Sequence, residues 1–121
     1  MGMHHYKELK IWQRSMDLVV SIYKLSAILP KNEQFGLLSQ MQRCAVSVPS
    51  NIAEGAGRGS NKQFRYFLAI AMGSINELQT QVEIAFRLNY LETSNKDDLT
   101  DEMLQIYKMV LTFYKSLGND E

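Results

Sequence analysis

Apolar residues recur at alternating spacings of four and three along almost the whole chain, and that period admits little besides packed helices. Ile11, Ser15, Leu18, Ile22, Leu25 and Leu29 make one such series, and Leu38, Met41, Ala45, Val48 and Ile52 a second. A third runs Phe64, Leu68, Ala71, Ile75, Leu78, Val82 and Ala85, and a fourth Leu99, Met103, Ile106, Val110, Phe113 and Leu117. Each returns to one face of a 3.6-residue helix, and no stretch alternates with the two-residue period of a half-buried strand. The class is all-α. Connections of roughly four to eight residues force neighbouring helices antiparallel, so the expected architecture is an up-down-up-down four-helix bundle. One domain spans residues 1–121, with 1–7 expected as a frayed end.

Punctuation supports these limits. Pro30 stops the first helix and Asn32 is placed to cap the second. Ser60 and Gln63 form a capping-box pattern ahead of the third, and Ser94 with Asp97 and Asp98 opens the fourth, which Gly118 closes. Pro49 falls where the second series is still running. It lacks an N–H and crowds the Ala45 carbonyl, so helix 2 should kink there or restart with Ser47 as its cap.

Charge and composition narrow the function. The 13 Lys/Arg and 13 Asp/Glu balance, which excludes a generic basic nucleic-acid coat. The halves differ, however: residues 1–60 carry seven cations and four acids, and residues 61–121 six and nine. One cysteine, Cys44, forbids an internal disulfide and fits a reducing, cytoplasmic setting. No apolar run reaches the 18 to 20 or so residues of a membrane span. Two helices carry a second apolar stripe beside the first: Trp12, Met16, Val19 and Tyr23, and then Leu104, Tyr107, Leu111 and Tyr114. Such width suits either a broad core face or a subunit interface rich in Tyr, Trp and Met.

The segment "SVPSNIAEGAGRGSNKQF", residues 47–64, invites comparison with a phosphate-binding loop. A Walker loop needs a strand before it and a Lys-Ser or Lys-Thr pair after it, and neither is present. Gly55, Gly57 and Gly59 read instead as a helix-ending bend. A weaker anion role remains, because Arg58, Lys62 and Arg65 surround the free amides of a helix start. Asn51 and Glu54 share one face of helix 2, and Ser74, Glu77 and Gln81 share one of helix 3, beside Gly73. A polar layer between helices or subunits is the first reading of these residues, and a lone catalytic Glu the second. His4, His5 and Glu8 lack a further histidine to complete a zinc site, and Glu-x-x-His pairs for a diiron centre are absent. Cys44 reads as a small buried hydrophobe. No cofactor, metal or catalytic residue is expected.

From Tyr6 to about Leu117 the chain resembles a bacterial four-helix-bundle family whose genes lie in intervening sequences of large-subunit ribosomal RNA genes. "FGL..Q", "SVPSNIAEG" and "GSINELQTQ" are the most specific parts. A related branch, the accessory variability protein of diversity-generating retroelements, is a pentameric barrel that binds nucleic acid through a basic surface. With no catalytic residue expected, the chain reads as non-enzymatic. The resemblance implies a homo-oligomer, a pentamer on that model, with RNA or DNA as a partner. If phosphate is contacted, Arg43, Arg58, Lys62 and Arg65 are the residues placed to do so. The resemblance also implies that Pro49, Asn51, Glu54, Gly55, Ser74, Glu77 and Gln81 serve folding or assembly. The alternative is an oligomeric scaffold that binds another protein without nucleic acid.

Overall fold

The computed structural model describes residues 4–118. Helix α1 spans Lys10–Tyr23, α2 Leu37–Ala56, α3 Asn61–Arg87 and α4 Thr93–Ser116, and the described residues contain no strand. Consecutive helices pack together and α4 closes on α1, so α1 lies diagonally across from α3. This is the expected antiparallel bundle. Every residue of the four series is buried except Phe113, which packs half-buried against the same core. Removing those side chains from water is the main driving force, at about 1.5 to 3 kcal/mol for each large aliphatic.

Several helix limits differ from the sequence expectation, each for a local reason. After Tyr23 the chain tightens into a 3-10 turn, Lys24–Ala27, yet Leu25 and Leu29 stay buried. Asn32 does not cap α2: it lies within a second such turn, Lys31–Glu33, and the helix begins later, after Gly36. Glu33 does the capping from four residues upstream, its Oε1 accepting the Leu37 N–H at 3.0 Å. Helix α4 starts one turn before the acids at 97 and 98. Glu92 and Asn95 form a reciprocal capping box there, displacing Ser94 from that role. Ser60 Oγ does accept the Gln63 N–H, at 3.2 Å. Helix α2 runs unbroken through Pro49, so it does not restart at Ser47.

Both ends of the bundle are tied. At the base, residues 4–7 are folded rather than frayed, while Met1 to Met3 lie outside the described residues. The His4 backbone N–H donates to the Ala56 carbonyl, and its ring meets Phe64 and Phe113 edge-on at 5.1 and 5.9 Å. Asn61 Nδ2 donates to the Leu117 carbonyl. At the top, Glu33 Oε2 accepts the Tyr90 hydroxyl at 2.9 Å, joining the α1–α2 loop to the α3–α4 loop. Gly36 makes room for that carboxylate, since a Cβ there would stand 2.8 Å from Glu33 Oε1.

Helices α2 and α3 share the largest contact in the molecule, and at Gly55 their approach leaves no room for a side chain. A Cβ at Gly55 would lie 2.8 Å from Phe64 Cδ1 and 2.9 Å from Phe67 Cβ, whereas one at Gly73, on the exposed side of α3, meets nothing within 4 Å. Two opposite outcomes follow in urea denaturation at equal protein concentration. Gly55→Ala should lower stability by about 1 to 3 kcal/mol through overpacking. Gly73→Ala should raise it by up to about 1 kcal/mol through helix propensity. The Glu33 staple makes a pH prediction. The Leu37 N–H, then the Tyr90 hydroxyl, hold its carboxyl below the ordinary 4.5. A depressed folded pKa contributes stability that is complete above 4.5 and lost as pH falls through the folded value. Thermal melts of the wild type and Glu33→Gln should therefore differ most at neutral pH and converge in acid.

Candidate functional site

Where α2 meets α3, the residues singled out in the sequence form one polar seam. Ser47 Oγ and Ser74 Oγ share a hydrogen bond at 2.7 Å. Asn51 Nδ2 donates to the Ser47 carbonyl at 2.8 Å and to Ser47 Oγ at 3.1 Å. Cys44 Sγ donates to the Ser74 carbonyl at 3.0 Å. Burial pushes this thiol up to about 12, and the nearby Glu77 carboxylate adds to the effect. A thiol kept protonated and already donating is a poor nucleophile. Ser47 and Asn51 stand a turn apart on α2, so Asn51 bonds back to Ser47 while the Ser47 hydroxyl reaches across to Ser74 of α3. The seam ties the helices together inside a mostly apolar contact.

The other signature residues divide. Glu54 faces outward and pairs with Arg58, at 2.8 Å from its Nη2. Glu77 is exposed, while Gln81 is buried with its Oε1 lacking a partner among the described residues. Pro49 and Gly55 are buried in α2. Only Asn51 and Ser74 of the five polar residues take part in the hydrogen-bonded seam.

The four candidate cations do not form one patch. Arg58 and Lys62 line a surface depression of about 740 Å³ with Ser60, Gln63, Tyr66 and Phe67, where α2 hands over to α3. The Arg58 guanidinium sits 4.9 Å above the Phe67 ring as well as pairing with Glu54. Lys62 is exposed and makes no ion pair among the described residues. Arg43 lies thirteen residues before Ala56, the last residue of α2, roughly 20 Å along the axis from the bend that carries Arg58. Arg65 shares the column of Asn61, which faces α4, and is half-buried, its enclosed Nη1 having no hydrogen-bond partner among the described residues. Among the described residues no three His, Cys, Asp or Glu side chains gather as metal ligands, and no helix is long and apolar enough to cross a membrane.

Two exposed apolar stripes complete the surface. On α1, Met16, Val20 and Tyr23 face solvent, while Trp12 and Val19 from the same predicted stripe pack on the core. The second stripe of α4 is mostly core: Tyr107, Leu111 and Tyr114 pack inward and only Leu104 is exposed. The outer side of α3 carries a stripe that the sequence reading missed: Tyr66, Ile70, Ile84 and Leu88, all exposed. Its heptad spacing is present in the sequence, but Gly73, Glu77 and Thr80 interrupt its middle and conceal it.

The fold is similar to a crystal structure of a protein of unknown function from the S23 ribosomal protein family of Bacteroides thetaiotaomicron VPI-5482. The TM-score is 0.81 at 24% identity, over 87% of this chain and 95% of that one. No curated protein matches at a significant level. The model of the 23S rRNA-intervening sequence proteins matches residues 7–112. By that match, which takes in the seam, the cationic corner and both outer stripes, the chain belongs to the 23S rRNA-intervening sequence protein family.

Proposed function

We propose that the protein is a non-enzymatic, ring-forming homo-oligomer acting as a scaffold in the cytoplasm. The observation that carries this reading is the position of its two exposed apolar stripes. They lie on α1 and α3, which are diagonal in the bundle, so they face opposite directions. One two-fold contact cannot cover both. A head-to-tail contact, with the α1 stripe of one copy on the middle of the α3 stripe of the next, engages both in every copy and closes when the rotation permits. Helices α1 and α3 also run parallel, which an axis along the bundle preserves. Met16, midway along α1, then opposes Gly73, midway along α3, where bare backbone leaves room for it. The resemblance to the pentameric branch supports five copies.

Light scattering on the purified chain should give a multiple of 13.9 kDa, five-fold on that model. Gly73→Arg or Val20→Asp should reduce it to a single chain with helicity unchanged. A strict monomer at micromolar concentration sinks the ring.

A second reading, association with nucleic acid, is favoured by the depression that sets Arg58 and Lys62 beside exposed Tyr66. Such binding rests on counterion release, so affinity for RNA should fall steeply between 50 and 200 mM salt, conditions chosen to expose that slope. Lys62→Glu should weaken it further. Affinity that ignores salt argues for the scaffold with a protein partner instead.

A further inference from the structure

We infer that the corner between α2 and α3 takes single-stranded nucleic acid, with an unpaired base stacked on Tyr66 and its phosphate on Lys62. The inference rests on the nucleic-acid reading above and specifies its ligand.

Tyr66 is 63% exposed, an unusual position for a large ring on a well-packed helix. Its one ring neighbour is Phe67, whose ring plane stands at 85° and 5.1 Å away, so at most one face of Tyr66 is used. Phe67 is committed, with the Arg58 guanidinium over its ring. Together these two make a wall, and Tyr66 remains the open platform. Lys62 stands one turn earlier on the same side of α3, about 6 Å along the axis. A single nucleotide bridges such a span, base on ring and phosphate on ammonium. Flat π-faces accept any base, so this contact recognises unpaired bases with little sequence preference.

The same geometry disfavours a duplex. Bases in a double helix keep their faces stacked on one another, and a duplex would have to be held through its phosphates. The corner has too little free charge for that: Glu54 already neutralises Arg58 and presents a carboxylate at the rim. Arg43 and Arg65 lie elsewhere, as described above. One ring and one free ammonium make a weak site. A ring of copies multiplies it, because α1, with 14 residues, is too short to cover the 27 of α3 and leaves Tyr66 beyond its end. Repeated corners along one strand then bind with avidity.

The test is fluorescence anisotropy with a labelled 20-nucleotide oligouridylate and a 20-base-pair RNA duplex at low salt. The single strand should bind more tightly. Tyr66→Ala should weaken it by roughly 5- to 150-fold per stacked base, while Tyr66→Phe retains affinity. Lys62→Gln should weaken it and lower the salt slope by about 0.7 per site. Circular dichroism checks that each exposed-site variant keeps its helicity. A duplex bound as tightly as the single strand overturns the inference. So does a Tyr66→Ala protein that binds like the wild type while Lys62→Gln does not, although nucleic-acid association then stands. Failure to bind either RNA at low salt overturns both and leaves Tyr66 as a contact for protein.

Discussion

The bundle depends on how closely α2 and α3 approach one another. At Gly55 there is no room for a single carbon between α2 and the Phe64 and Phe67 side chains. Further along, the Ser47–Ser74 hydroxyl pair and Asn51 fill the same seam with matched polar groups. A hydroxyl pair of this kind is worthwhile only in register, since a slip leaves half-buried polar groups without their partners. The apolar series supplies the attraction, and the seam selects one alignment from the several that a heptad pattern allows. That alignment places Phe67 under Arg58 and leaves Tyr66 and Lys62 facing out, so the chemistry of the corner is inherited from the packing of the helices.

Much of this was legible in the sequence, because burial in a bundle follows from period alone. The four series predicted the core with Phe113 as the one half-buried exception. Helix starts were less legible. Several residues in each loop were chemically fit to cap, and the choice among Asn32, Glu33 and Gly36 depended on Tyr90, fifty-seven residues from Glu33. The polar signature was found as a set, but its division was not: Glu54 and Glu77 differ from Asn51 and Ser74 by fractions of a turn, which decide between solvent and seam. Nor could spacing alone separate half-buried Arg65 from exposed Lys62.

Net neutrality conceals how the charges are spent. Glu54 occupies Arg58, and Glu83 takes both Arg87 and Lys96. Exposed pairs of this kind contribute little to stability, with a typical exposed pair worth about 0.2 to 1 kcal/mol. Their effect at the corner is local: Glu54 holds Arg58, and Lys62, which makes no ion pair among the described residues, stands beside the exposed Tyr66 ring.

The seam carries its own reporter. Cys44 is the single sulfhydryl of the chain, buried between α2 and α3 and hydrogen-bonded to a carbonyl on the far side. A thiol reagent can reach it only when the two helices part, and the protonated sulfur reacts slowly unless freed from its surroundings. Its rate of labelling thus reads the frequency of local opening in native protein, without any introduced probe. A ligand or neighbouring subunit that clamps these helices would register as a slower colour change at one sulfur atom.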